Sequence, residues 1–257
     1  MIAALDALPH GAGVALAALI GLVLGSFIAT LVLRWPAGRS ILGRSRCDGC
    51  DRVLGPLELV PLASALALRG RCRGCGARID PFHMQVELAS GLIGALALAI
   101  MPGMAGWLWA LFGWLLLPLA LLDARFMWLP DRLNGVLAVA GLLLAGPLLG
   151  TSLFDRWIGA VAGGVLLALV ALLFERVRGK RGMGGGDPKL AAATGAWIGW
   201  QAMPLMILLA SAGGMLWALC TQGKGDRPLS LRAIPFGVFL AVAAWATVAL
   251  WPLLSAG

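Results

Sequence analysis

The sequence predicts an all-α polytopic membrane protein of about eight transmembrane helices, with a small cytoplasmic loop domain after the first helix. Three observations predict it. Of its 257 residues 60% are hydrophobic and only 12% charged, with a mean hydropathy of +0.92, which is far too apolar for a soluble domain of this length. Apolar runs near the roughly 17–25 residues needed to cross a bilayer recur along the chain. Between the first two runs lies one long polar loop that holds four of the five cysteines.

Taken in order, the stretch Met1–His10 has no basic n-region, carries Asp6, and leads into a run closed by Arg34 rather than by a small-residue cleavage site. Residues 1–33 are therefore expected to be a retained first span. Further runs fall at 84–101, 106–122, 133–150, 157–175, 203–220 and 234–254. A shorter one, 188–201, is rich in Ala and Gly (Ala191, Ala192, Ala193, Gly195, Ala196, Gly199), a composition that lets backbones approach closely. Residues 84–257 then form a seven-helix membrane domain. Trp107, Trp128, Trp157, Trp197 and Trp251 lie near run ends, where indoles favour the headgroup level.

Charge sets the orientation. A net charge of +8 raises the question of nucleic acid. However, the loops 34–83, 123–132, 176–189 and 221–233 hold 19 of the 20 Lys and Arg, with only Arg156 opposite. Basic loops of this kind orient a multi-span protein in the lipid bilayer, so no nucleic-acid partner is expected. Both termini are expected on the outer face and the four basic loops in the cytoplasm.

The loop 34–83 is too small to bury much of a core unaided and calls for a staple. Cys47-Asp48-Gly49-Cys50 and Cys72-Arg73-Gly74-Cys75 supply it: two CxxC pairs whose Gly residues suit tight turns that aim two thiolates at one ion. Cys47, Cys50, Cys72 and Cys75 are expected to hold a structural tetrahedral Zn²⁺ in a zinc-ribbon-like unit. Disulfides are the competing reading, in a compartment that keeps thiols reduced. Cys220, His10 and His83 have no ligand-spaced partners and receive no role.

Among the carboxylates, Asp226 fits a solvated loop and Glu175 a surface ion pair with Arg176 and Arg178. Asp131 follows Pro130 and precedes an apolar run, which suits a helix N-cap. Asp187 before Pro188 invites the same explanation, but capping does not require the preceding Gly184, Gly185 and Gly186, which bare the backbone for an extended peptide. Asp123 closes an apolar stretch at a helix C-terminus, where the macrodipole disfavours an anion, so capping does not explain it. Glu87, one turn into its span, faces a polar site or caps its helix. Asp123 and Asp187, the latter near Lys189, are expected to share one proton and activate water.

These residues together resemble the type IV prepilin peptidases, leader peptidase and N-methyltransferase enzymes among the GxGD-type intramembrane aspartic proteases. The similarity runs through Gly25-Ser26-Phe27, Arg34-Trp35-Pro36, both CxxC pairs, Leu59-Val60-Pro61-Leu62-Ala63-Ser64, and Leu122-Asp123 with Pro130-Asp131. It continues through Gly184-Gly185-Gly186-Asp187-Pro188-Lys189-Leu190 and Ile234-Pro235-Phe236-Gly237. The resemblance implies a multi-pass protein of the bacterial inner membrane with Asp123 and Asp187, not Asp131, as the catalytic pair. It implies cleavage of the basic leader of type IV prepilins or pseudopilins after a Gly at the cytoplasmic face. Methylation of the new N-terminal amine, usually of Phe, with S-adenosylmethionine would follow.

The chain has Ala29, Asp48 and Glu58 where that family usually has Asn, Pro and Asn, and Arg125 where it commonly has an acid. The first three lie in the region the family associates with methylation. Competing readings are a peptidase without methyl transfer and a non-enzymatic carrier or assembly factor.

Overall fold

A computed structural model describes residues 9–47, 49–179, 182–221 and 234–255, so Asp226 and Asp48 lie outside the described residues. Each of the eight apolar runs is mostly helical, and among the described residues six helices are long and apolar enough to cross a membrane. The protein is a multi-pass membrane protein. The chain divides into two compact units, Met1–Trp114 and Leu115–Gly257.

In the first unit, α1 (His10–Arg34) packs along α3 (Phe82–Ile100) on a seam of small residues. A Cβ on Gly25 would come within 2.6 Å of the Glu87 Cα, and one on Gly91 within 2.9 Å of Leu22. Without a hydrophobic driving force between helices in lipid, this close backbone approach supplies the packing. The indole of Trp114 donates to the Ser90 carbonyl at 3.0 Å on the same seam. Between the helices come a 3₁₀ turn, Pro56–Leu59, and the short α2 (Ala63–Ala67). Glu87 is buried and accepts a hydrogen bond from the Leu62 amide at 2.9 Å, tying the loop to α3 where Leu62 takes a left-handed φ of 57°.

Helix α4 (Met104–Phe126) starts in the first unit and ends in the second. The second unit then holds α5 (Asp131–Leu144), α6 (Gly146–Leu149), α7 (Leu153–Arg178), α8 (Asp187–Cys220) and α9 (Phe236–Ser255). The run 133–150 is split because α5 stops after 14 residues, ahead of Pro147. Arg156 donates to two of the last carbonyls of α5, Gly141 at 3.0 Å and Leu142 at 2.9 Å, and to the Ser152 carbonyl at the start of its own helix at 3.3 Å.

Helix α8 is two legs rather than one rod. Gly199, at φ 73° and ψ 172°, interrupts it. Gly163 of α7 lies against Ala191, before that break, and against Met203, after it. The first leg starts at Asp187, and Gly214 of the second leg approaches Phe236 at the start of α9. Residues on both sides of the break thus meet the same stretch of α7, so the chain doubles back at Gly199 and both legs lie along it. This reconciles the separate runs 188–201 and 203–220 with a 34-residue helical segment. Trp197 is fully buried rather than at a membrane interface, packing over Gly141 and donating to the Leu137 carbonyl at 2.8 Å.

Candidate active site and metal centre

Asp123 sits in the last turn of α4 and Asp187 is the first residue of α8, and each is only 5% exposed. One oxygen of each carboxylate is pinned by backbone. Asp123 Oδ2 accepts from the Val238 amide at 3.1 Å, and Asp187 Oδ2 from the Gly184 amide at 3.1 Å. Gly237, whose Cβ would stand 2.8 Å from Asp123 Oδ2, and Gly186, which precedes Asp187, border the same side chain. That side chain is Leu129: a Cβ on Gly186 would meet it at 2.7 Å and one on Gly237 at 2.9 Å. Gly185 has open space where a side chain would be, so the bared backbone of the glycine run borders the pair. Buried carboxylates can take up and give back protons, and here each is fixed by a backbone donor near an open main chain.

The structure corrects two sequence expectations here and adds a contact. Neither Asp131 nor Asp187 makes a side-chain cap hydrogen bond: Pro130 and Gly186 occupy the cap positions. Asp187 instead turns its oxygen back to the glycine run. Lys189 does not serve Asp187, because its Nζ lies 2.6 Å from Asp131 Oδ1. Sequence reading did not foresee that the Val238 amide holds Asp123 and that Gly237 makes room for it. The signal available was a glycine just inside the last span, in Ile234-Pro235-Phe236-Gly237.

In the first unit, Cys47, Cys50, Cys72 and Cys75 converge with all four Sγ atoms within 4.8 Å of one another. Each pair rides the same knuckle. The Cys47 amide donates to the Arg52 carbonyl at 2.9 Å, and the Cys72 amide to the Ala77 carbonyl at 2.8 Å. The amides of Gly49 and Gly74 donate to Cys47 Sγ and Cys72 Sγ at 3.4 Å each. None of the four is in a disulfide. A tetrahedral site with Zn–S bonds of about 2.3 Å requires sulfurs about 3.8 Å apart, and Cys47 and Cys75 lie 3.7 Å apart. The donor set and spacing fit zinc.

Backbone amides of Cys75 and Gly74 hold the Cys72 thiol down to about 6, toward the thiolate a metal needs. Glu58, a departure noted above, is structural: it accepts from Arg52 at 2.6 Å and from the Gly55 amide at 2.8 Å. Arg52 first, then that amide, hold its carboxyl below the usual range.

Residues 19–101 match the bacterial peptidase A24 N-terminal domain and residues 110–219 the type IV leader peptidase family. Among curated proteins, the prepilin leader peptidase/N-methyltransferase of Aeromonas hydrophila is 41% identical over 219 residues, covering 84% of this chain and 74% of that protein. The protein of the same name from Burkholderia pseudomallei strain K96243 is 39% identical, covering 96% of this chain and 88% of its own. That from Pseudomonas aeruginosa PAO1 is 37% identical, covering 91% and 88%. No solved structure matches.

Proposed function

The chain belongs to the type IV leader peptidase family, and from that premise we propose that Asp123 and Asp187 cleave the leader of type IV prepilins or pseudopilins. The cut falls after a Gly at the cytoplasmic face of the inner membrane. The observation that carries this reading is the burial of two carboxylates from separate helices beside a side-chain-free strip of backbone. One carboxylate takes a proton from water as its oxygen attacks the scissile carbonyl carbon. The other, protonated, gives its proton to the departing amine as the C–N bond breaks. The Val238 and Gly184 amides hold the two side chains in place through this exchange.

The released N-terminal amine is the substrate for the second activity, methylation with S-adenosylmethionine. That half rests on family membership, and no residue is assigned to the donor. Cys47, Cys50, Cys72 and Cys75 would hold Zn²⁺ as a structural staple of the loop 34–83, between the first span and the membrane peptidase domain. The charge bias supports cytoplasmic basic loops and periplasmic termini.

The test is Asp123→Asn and Asp187→Asn in full-length protein reconstituted with a prepilin. Cleavage should fall below detection while melting behaviour is retained. Undiminished cleavage by either variant would remove the dyad.

A further inference from the structure

We propose that Asp131 is the docking carboxylate for the cationic side chain of the leader, and that Lys189 occupies its place when no substrate is bound. The inference rests on the peptidase reading above. Asp131 lies two residues after Leu129, the side chain packed against both Gly186 and Gly237. Lys189 lies two residues after Asp187. Their ion pair, 2.6 Å long, therefore ties the segment that carries Leu129 to the helix turn that Asp187 begins.

The pair is solvent-exposed, with the Lys189 and Asp131 side chains 54% and 72% accessible. Exposed pairs of this kind contribute little stability, so the fold does not depend on it. Asp131 stands in the first turn of α5, where Pro130 and not Asp131 is the cap residue, and its carboxylate accepts from Lys189. What the carboxylate demonstrably does is hold a primary ammonium that arrives from 58 residues away. The ligand chemistry is thus already on display: a lysine ammonium or an arginine guanidinium.

The charge balance of the chain favours such a site. The chain carries a net charge of +8, so a basic leader approaching it meets like charge, which costs affinity. A carboxylate at the edge of the site offers one local point of opposite charge and fixes the register of the peptide relative to Asp123 and Asp187. The leader's cation replaces Lys189 on Asp131 by exchange of one ion pair for another, with no buried charge left unpaired.

The experiment is a charge swap with full-length protein in proteoliposomes and two prepilin substrates, one with its native basic leader and one with the basic residues nearest the cut changed to Glu. Asp131→Asn is expected to lower kcat/KM on the basic leader about fivefold, and Asp131→Lys by on the order of tenfold or more. Asp131→Lys should cleave the acidic leader better than wild type does, whereas Lys189→Ala should lower KM for the basic leader by freeing the carboxylate. A purely structural pair predicts instead that Asp131→Asn and Lys189→Ala lose activity equally and without regard to leader charge. That result overturns the proposal, as does undiminished cleavage of the basic leader by Asp131→Asn. If wild-type protein cleaves neither substrate, the peptidase reading itself fails, and this inference with it.

Discussion

Gly237 faces Asp123 so closely that a Cβ on the glycine would stand 2.8 Å from the carboxylate oxygen. The glycine needs no unusual backbone angle here. Its function is to leave room for the acid and for the Val238 amide that holds it. Gly237→Ala should therefore push Asp123 out of position with little effect on folding. A displacement on the order of 1 Å at a reacting group costs roughly a hundredfold in rate. Steady-state cleavage should fall by about that factor, with the melting temperature nearly unchanged. An alanine variant of wild-type activity would show that the carboxylate has slack.

Much of this was legible in the sequence, and the rest was not for identifiable reasons. The runs announced themselves by length, and the two CxxC pairs by spacing, because both signals are local. Asp123 stood out because a helix C-terminus gives an anion no local support, and its actual support, the Val238 amide, comes from 115 residues away. The partner of Lys189 escapes a local reading for the same reason: Asp187 is near it in sequence, while Asp131 is near it in space. Trp197 looked interfacial by its place near a run end, but the run folds back two residues later at Gly199 and buries the indole.

Metal removal should act on the loop. Zinc analysis of purified protein should find stoichiometric metal, and Cys47→Ser or Cys72→Ser should abolish it. With four thiolates freed and only short hydrogen-bonded knuckles remaining, the loop 34–83 should become sensitive to protease. Protein without zinc whose loop resists digestion would refute the staple.

Arg156 is expected to matter for stability rather than catalysis. Its guanidinium closes the C-terminal end of α5 through the Gly141 and Leu142 carbonyls. Arg156→Met keeps the length and removes the charged donors, at a cost of roughly 1.5–3 kcal/mol, while the Gly141 carbonyl keeps the Ala145 amide. Detergent melting curves should register the loss. Arg156→Lys should recover only part of it, because an ammonium lacks the planar fork that reaches two carbonyls and Ser152 together.

The turn at Gly199 links the fold to the dyad. Its φ of 73° with ψ of 172° lies in a region populated essentially by glycine alone, so a Cβ there is strained by about 1–3 kcal/mol. Space is also short, since that Cβ would meet Thr151 and Gln201 at 3.1 Å. Gly199→Ala should therefore lower the melting temperature. Relief of the strain would shift the first leg of α8 along α7, where Gly159 and Gly195 leave no slack. Asp187 begins that leg, so cleavage should fall more steeply than stability alone explains. Comparing kcat at a temperature where both proteins are fully folded separates the two effects: equal kcat values would confine the role of Gly199 to stability.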